Sequence, residues 1–357
     1  MDYSIDPDIA VASTLPGAFY ADADAYAASR ERVFARSWQW IGDLRDVSAT
    51  ESLAPRELLP GLLDEPLLLA RDAVGTLRCL SNVCTHRGNL LVSAPCRAKS
   101  IRCGYHSRRF DLAGRMTFMP EFDSARNFPS PADDLPSVAL ATWGTFGFVA
   151  LSAVTSFSDA FDAIAARVGF VPGDRDAHDP ARDRDFSIDA HWALYVENYL
   201  EGFHIPFVHP ALNAAVEYSG YRDELLRYGS VQIAAAKDGQ PAFERREHGA
   251  RIAAYYAWLF PNLMLNVYPW GLSVNVVVPQ GLSRTRVLFR SYVRDPALLE
   301  HGAGASLDAV EHEDEAIVQA VQRGVRSRLY SRGRYSPSRE RGVHHFQRLL
   351  CEFLARA

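Results

Sequence analysis

The stretch that decides the fold is CTHRGNLLVSAPCRAKSIRCGYH, residues 84–106. It contains two pairs of metal-ligand residues, Cys84 with His86 and Cys103 with His106, and sixteen residues separate the pairs. One zinc ion can bind two thiolates and two imidazoles. A two-iron cluster can bind the same four groups, with the thiolates on one iron and the imidazoles on the other. The identity of the metal is therefore the first question.

The spacing within the first pair favours the cluster. Zinc sites commonly place two to four residues between paired ligands, whereas Thr85 alone separates Cys84 from His86. Zinc is therefore the weaker alternative. Gly88 and Gly104 allow the backbone to turn closely around a cluster whose sulfides accept amide hydrogen bonds. Neutral imidazoles leave such a cluster less negative than four thiolates would, which predicts an electron-transfer centre.

The composition excludes several classes of protein. The chain has 357 residues, 48% hydrophobic and 23% charged, which is enough for two domains with a substantial core. Its net charge of -5 argues against a nucleic-acid partner, which would need a concentrated basic face. The N-terminus lacks the basic start and apolar core of a secretory signal, and the longest apolar stretch, Val138–Leu151, is too short to span a bilayer. We expect a cytoplasmic protein without a membrane partner.

The cysteines also indicate metal binding. Of the five, Cys79, Cys84, Cys96 and Cys103 lie within 25 residues, and Cys351 is distant. In a reducing compartment such clustering favours metal ligation over a disulfide framework. Cys79 and Cys96 could pair in principle, but we expect both to be reduced and packed.

Hydrophobic periodicity predicts the elements of the first half of the chain. Helical spacing from Ala21 to Trp40 predicts an N-terminal helix. Between Trp40 and Leu151, short β-type runs alternate with turn residues, which predicts a small antiparallel β domain. The two Cys/His pairs lie at two of its loop tips.

The second half combines helices with strands. A helical pattern over residues 191–210 is interrupted by Pro206 and Pro210. Two-residue alternation over 251–293 then predicts antiparallel strands. Further helices are predicted over residues 306–329 and 344–353.

The segment VENYLEGFHIPFVH, residues 196–209, predicts a second metal site. Glu201 and His204 have helical i,i+3 spacing, and His209 follows across the break at Pro206. Two imidazoles and a carboxylate on one octahedral face hold non-haem Fe(II) and leave positions open for O2 and substrate. Either histidine, taken alone, could instead be a hydrogen-bonded surface residue.

The pattern of the two Cys/His pairs resembles the Rieske [2Fe-2S] signature, apart from Ser107, where the family usually carries glycine. The segment 196–209 resembles the E-N-x-x-E/D-x-x-H-x-x-x-x-H signature of the α subunits of Rieske non-haem iron oxygenases, the ring-hydroxylating oxygenase family. The residues that match the second signature are Glu197, Asn198, Glu201, His204 and His209.

The resemblance implies roles for individual residues. Asn198 and Glu201 are expected to act in catalysis, with Glu201 hydrogen-bonded to His106 of a neighbouring subunit. The third iron ligand is expected from EHEDEAIVQAVQRG, residues 311–324, where the family pattern selects Asp314. The alternatives are Glu313 and Glu311, and acids of this kind also simply favour a helix start.

The resemblance also implies the fold and its division. We expect an α+β protein in which an antiparallel β Rieske domain precedes a helix-grip catalytic domain, an antiparallel sheet flanked by helices. The expected parts are an N-terminal helical segment, 1–40, packing on the catalytic domain, a Rieske [2Fe-2S] domain, 41–155, and a mononuclear iron catalytic domain, 156–357.

The implied activity is that of a terminal oxygenase component. It would use O2 and electrons from NAD(P)H to hydroxylate or oxidatively demethylate a small organic substrate. No G-x-G-x-x-G follows a strand, so NAD(P)H oxidation belongs to a separate flavin and iron–sulfur reductase. Bridging between subunits implies a head-to-tail homotrimer. The alternatives are a ring-hydroxylating dioxygenase of a small aromatic compound, a Rieske-type electron-transfer protein, which the chain length disfavours, and a zinc-stabilised binding module.

The substrate class is indicated by two further segments, 261–279 and 321–346. Both look similar to the branch with choline and carnitine monooxygenases and betaine demethylases, in which the bridging acid is Glu, as in Glu201. A quaternary ammonium group would be held by aromatic faces at roughly 0.5 to 2 kcal/mol per ring. Aromatic residues on strands are often core instead, and a small aromatic or alicyclic substrate remains the alternative. The candidate aromatic residues are Tyr256, Trp258, Phe260, Tyr268 and Trp270.

Overall fold

The computed structural model describes residues 3–170 and 176–356. The chain divides into two compact units: a small unit, Ala35–Val154, and a large unit that combines Met1–Phe34 with Thr155–Ala357. The first boundary lies before the expected one after residue 40, because Gln39–Asp43 is a strand of the small unit.

The N-terminal helix is shorter than its periodicity predicts. Helix α1, Ala23–Ser29, begins at Asp22, whose carboxylate accepts the N–H groups of the first turn. It continues as a π-helical turn over Arg30–Phe34 and ends there. The expected continuation to Trp40 is wrong, since Trp40 pairs with Phe148 in a sheet.

The small unit contains an antiparallel sheet of seven strands and another of three. The seven-stranded order is β1-β10-β9-β4-β3-β2-β5, and the three-stranded order is β6-β7-β8. The strands are β1 Gln39–Asp43, β2 Ser52–Leu58, β3 Glu65–Arg71, β4 Leu77–Ser81, β5 Cys96–Arg97, β6 Ile101–Arg102, β7 Arg109–Phe110, β8 Met116–Phe118, β9 Ser137–Trp143 and β10 Phe146–Ala150.

Two cysteines of this unit test the disulfide alternative. Cys79 and Cys96 are both free, and Cys79 is buried as expected. Cys96 is exposed, so the expectation that it is packed was wrong. The reason is its place in β5, a two-residue strand at the edge of the seven-stranded sheet.

The large unit is built on a nine-stranded antiparallel sheet. Its main order is β11-β19-β18-β17-β16-β14-β13, and β12 and β15 pair with β19 and β16. The strands are β11 Ala177–His178, β12 Arg184–Ile188, β13 Val216–Leu226, β14 Gly229–Ala236, β15 Arg246–Glu247, β16 Ala250–Leu259, β17 Leu263–Tyr268, β18 Gly271–Gly281 and β19 Arg284–Val293. The alternation over 251–293 therefore predicted β16 to β19, but β13 and β14 were not predicted.

Helices pack on this sheet and complete the fold. The predicted α+β class is therefore confirmed. The pattern over 191–210 is divided into three helices, because Pro206 and Pro210 are tolerated only in a first turn. No helix in the described ranges is long and apolar enough to cross a membrane. The helices are α2 Phe157–Val168, α3 Trp192–Tyr199, α4 Ile205–Val208, α5 Pro210–Ala215, α6 Leu307–Gly324 and α7 Arg341–Ala355.

The hairpin between β17 and β18 depends on Gly271. Gly271 pairs with Tyr268 and has a φ of +147°, a conformation that side chains rarely adopt. A Cβ atom there would lie 2.1 Å from the carbonyl oxygen of Tyr292 on β19. Only glycine therefore allows β18 to approach β19 at this turn.

We expect Gly271→Ala to lower the free energy of unfolding by roughly 2 kcal/mol or more, since it combines backbone strain with a backbone clash. Urea denaturation of the purified variant measures the change. Gly324→Ala is the control, because a Cβ atom at Gly324 meets nothing within 4 Å. Equal stability of the two variants would contradict the assigned role of Gly271.

Candidate active site

Two loops of the small unit carry the Cys/His pairs, and each loop contains a turn of the same type. The N–H of Gly88 donates to the carbonyl of Cys84 at 3.0 Å, and the N–H of Ser107 donates to that of Cys103 at 3.1 Å. Gly88 and Ser107 have positive φ values, 70° and 62°. This left-handed backbone suits glycine and costs energy for serine, which accounts physically for the family's usual glycine at position 107.

The side chains on these loops fit a two-iron cluster. Cys84 and Cys103 are buried, and the half-buried rings of His86 and His106 have centroids 4.8 Å apart. The Nδ1 atom of His106 is buried and has no hydrogen-bond partner within the described part of the chain. A buried ring nitrogen without a partner is costly, and a metal would satisfy it.

The second loop also favours the thiolate form that a metal needs. Burial raises the pKa of the Cys84 thiol. Burial would do the same to Cys103, but the backbone N–H groups of Tyr105 and His106 hydrogen-bond to its sulfur and lower its pKa overall. These donors would equally stabilise a cysteine that ligates iron.

The geometry disfavours a single zinc ion. Four ligands of one tetrahedral zinc lie within about 4 Å of each other, as follows from metal–ligand distances near 2 Å. Among the described residues, three or more possible metal ligands lie within 4.8 Å of one another at His204, His209 and Asp314 in the large unit. The two Cys/His pairs do not form such a close group. The more widely spaced donors of the small unit suit two irons.

A buried arginine that the sequence motifs do not indicate connects the two loops. Arg108 follows the second loop and is 2% exposed. Its guanidinium donates to the Thr85 hydroxyl at 2.9 Å in the first loop and pairs with Asp133 at 2.6 Å. The Thr85 hydroxyl in turn donates to the Asp133 carbonyl at 2.7 Å. These bonds fix the loops relative to each other, and only tertiary contacts identify Arg108 among the 38 basic residues.

In the large unit, the turn after α3 positions the first histidine. The carboxylate of Glu201 accepts the backbone N–H groups of Phe203 and His204, and it contacts His204 Nδ1 at 2.6 Å. A Cβ atom at Gly202 would lie 2.5 Å from the ring of Tyr221, so glycine allows the turn to pack against β13. The turn therefore holds both the backbone and the imidazole.

Three ligand atoms converge at one point. His204 Nε2 lies 3.1 Å from His209 Nε2, and Asp314 Oδ1 lies 3.1 Å from His209 Nε2 and 3.6 Å from His204 Nε2. The remaining ring nitrogens each contact a carboxylate at 2.6 Å, Nδ1 of His204 with Glu201 and Nδ1 of His209 with Glu313. Imidazoles oriented in this way by carboxylates are characteristic of metal ligands, so the donor set fits a 2-His-1-carboxylate iron site.

The structure also distinguishes among the acids of α6. Asp314, and neither Glu311 nor Glu313, reaches the two histidine Nε2 atoms. Glu313 instead contacts His209 Nδ1. The amide of Asn198 donates to Asp314 Oδ1 at 2.6 Å, which links α3 to α6. The fold thus brings together residues from positions more than 100 apart that the sequence motifs predict to form one site.

Charge around the ligands favours a cation. Burial would lower the pKa of His209, but Asp314 and Glu313 raise it overall.

Glu197, from the same motif as His204 and His209, is outside the group of candidate ligands. Its carboxylate accepts the Tyr20 hydroxyl at 2.8 Å, and burial raises its pKa to about 7. Glu197 therefore attaches the N-terminal segment to α3.

A cavity next to the three ligands is lined by rings and amides. Tyr256 and Tyr268, two of the five aromatic candidates, line it with ring centroids 5.9 Å apart and planes at 80°. Tyr199 and Tyr221 also line it and were missed, because α3 and β13 reach the cavity only through tertiary packing. Tyr199 is at 90° to Tyr256, with centroids 6.4 Å apart.

The other three aromatic candidates belong to the core. Trp258 shares a strand face with Tyr256 but lies nearer the strand end, where Phe346 of α7 packs at 5.7 Å. Phe260 packs beside the same helix. Trp270 stacks on Tyr268 at 5.2 Å, outside the cavity lining.

We expect His204→Ala to lose the mononuclear iron and at least roughly 100-fold in turnover while keeping the coloured cluster, because it removes one of three iron ligands. Iron content and the visible spectrum measure this. His312→Ala is the control, since His312 is an exposed residue of α6 whose ring contacts Glu315 and Phe186. Normal oxidation of substrate by His204→Ala would refute the site.

Comparisons with known proteins match both units. The Rieske [2Fe-2S] domain family matches residues 37–129, and the ring hydroxylating alpha subunit (catalytic domain) family matches residues 174–356. The chain is 30% identical to the chloroplastic choline monooxygenase of Arabidopsis thaliana, covering 97% of this chain and 84% of that protein. It is 29% identical to the carnitine monooxygenase oxygenase subunit of Escherichia coli K12, covering 95% and 93%.

A solved structure shows the same fold. The quaternary ammonium Rieske monooxygenase CntA, in complex with an inhibitor, superposes with a TM-score of 0.80 at 22% identity and covers 99% of both chains. The two family matches, together with 30% identity to the choline monooxygenase over 97% of this chain, establish the family. The chain belongs to the ring-hydroxylating α-subunit family and is a Rieske non-haem iron oxygenase.

Proposed function

We propose that this oxygenase hydroxylates or oxidatively demethylates a small quaternary ammonium compound. The observation that supports this most directly is the tyrosine-lined cavity beside His204, His209 and Asp314. The relatives at 29–30% identity are named choline and carnitine monooxygenases, both of which act on such compounds by name. Glu201, rather than Asp, at the expected bridging position agrees with that branch.

A quaternary ammonium group needs the kind of surface that this cavity offers. It carries a positive charge but no N–H, so it cannot donate a strong hydrogen bond. Aromatic faces attract such a cation by roughly 0.5 to 2 kcal/mol each. The hydroxyls of Tyr199 and Tyr221 are bonded to Asn266 and Gln232 at 2.7 and 3.1 Å, and these bonds fix the rings around the cavity.

The chemistry would require two metal groups. His204, His209 and Asp314 would hold Fe(II), and Cys84, His86, Cys103 and His106 would hold the [2Fe-2S] cluster. When bound, these groups supply electrons and a site for O2 activation. The chain's own contribution is orientation, because Glu201 and Glu313 fix the two imidazoles and Asn198 fixes the Asp314 carboxylate.

The electrons would come from NAD(P)H through a separate flavin and iron–sulfur reductase. Within a homotrimer, Glu201 would hydrogen-bond to His106 of a neighbouring subunit and so connect the two metal groups. Phe203 and Phe207, on either side of His204, are 41% and 80% exposed. Exposed aromatic side chains beside a catalytic site suit coverage by another subunit.

The ferrous protein with nitric oxide, examined by electron paramagnetic resonance, tests the substrate class. We expect choline, carnitine or γ-butyrobetaine to change the ferrous-nitrosyl signal, because a bound substrate alters the surroundings of the iron. Small aromatic compounds are the comparison, and His204→Ala is the control for the signal. A response to aromatic compounds alone, with cis-diol products, would replace this proposal with a dioxygenase.

Glu201→Gln tests the bridge. We expect both metal groups to remain and the cluster to reoxidise at least tenfold more slowly in a single turnover, since the bridging charge is lost. Glu313→Gln is the matched control, because Glu313 holds the other histidine by an equivalent contact of 2.6 Å. Equal slowing in both variants would indicate imidazole orientation and argue against a bridge.

A further inference from the structure

Glu311 is a buried acid of the cavity that neither iron binding nor the bridge uses. It lies on α6 one turn before Asp314 and is 3% exposed. Its Oε2 atom accepts the Tyr195 hydroxyl at 2.6 Å. Its Oε1 atom is buried and has no hydrogen-bond partner in the part of the chain that the structure describes. The residue lines the cavity beside the iron ligands.

An unpaired buried carboxyl oxygen is costly, so its presence needs an explanation. Burial raises the pKa of Glu311 well above its usual range, and the nearby Asp314 adds to the effect. Both effects favour the neutral acid. A cation beside Oε1 would favour the carboxylate, because opposite charges attract strongly where water is excluded.

The charged side chains of the cavity lining also favour a cation. It includes the acids Glu201, Glu311 and Asp314, and none of the described residues that line the cavity is a lysine or an arginine. A substrate cation would therefore meet no repelling side chain, and a substrate carboxylate, as in carnitine or γ-butyrobetaine, would have no side-chain cation among these residues. A neutral apolar group would leave the Glu311 oxygen unpaired.

Building on the proposed function above, we propose that Glu311 is the counter-charge for the substrate's ammonium group and makes the oxygenase select cationic over neutral substrates. A quaternary ammonium needs no hydrogen-bond acceptor, so one carboxylate oxygen suffices. The tyrosine rings would surround the methyl groups, while Glu311 would balance the charge. Tyr195 would act as a positioning residue, since its hydroxyl fixes the carboxyl.

The experiment compares choline with 3,3-dimethylbutan-1-ol, a neutral molecule of nearly the same shape. Dissociation constants are measured on the iron-loaded holoenzyme from the ferrous-nitrosyl signal. We expect the wild type to bind choline at least tenfold more tightly than the neutral compound. In Glu311→Gln, the choline constant should rise roughly 10- to 100-fold, and that of the neutral compound should change less than threefold.

Glu315→Gln is the matched control. Glu315 is an acid on the same helix that contacts His312 and does not line the cavity, so this variant should keep the wild-type preference. Cluster and iron contents establish that each variant is assembled. If Glu311→Gln does not assemble, infrared difference spectra of the wild type decide: choline, and not the neutral compound, should remove a carboxylic acid carbonyl band.

The outcomes separate this inference from the proposed function. An unchanged preference in Glu311→Gln, or equal weakening of both compounds, overturns the role of Glu311 and leaves the quaternary ammonium proposal intact. A wild type whose signal responds to no quaternary ammonium compound overturns the proposed function. An unchanged infrared band on choline binding also overturns the counter-charge.

Discussion

The hydrogen bond between an imidazole Nδ1 and a carboxylate is the interaction on which the candidate iron site depends. It occurs twice, His204 with Glu201 and His209 with Glu313, each at 2.6 Å. Each bond holds the imidazole so that Nε2 is directed at a common point with Asp314. Without them, the two rings could rotate, and three donors on separate segments would not converge.

This requirement explains the irregular backbone around the site. In a continuous helix over residues 191–210, the side chains of His204 and His209 would point in directions roughly 140° apart around the helix axis. The glycine turn and the two prolines interrupt the helix and bring both imidazoles to one side. Helix α6 then supplies Asp314, and Asn198 connects it to α3.

The small unit achieves equivalent order by different means. Its ligands lie on two short loops, which have little regular structure to fix them. Matching turns after Cys84 and Cys103 shape each loop, and the buried Arg108 joins the loops through Thr85 and Asp133. A buried arginine is stable only when it is paired. The bonds of Arg108 to Thr85 and Asp133 supply this pairing and also fix the positions of the two ligand loops.

The sequence by itself determined the family, the candidate ligand residues and the α+β class, because these depend on residue type and local spacing. The spacings within the two Cys/His pairs and the motif around His204 are short-range patterns. The tertiary structure decided which aromatic residues face the cavity, since Tyr199 and Tyr221 arrive from α3 and β13 while Trp258 is covered by α7. It also decided the separate positions of Glu311, Glu313 and Asp314, three acids within four residues. Their positions follow from helix rotation and packing, which residue type does not encode.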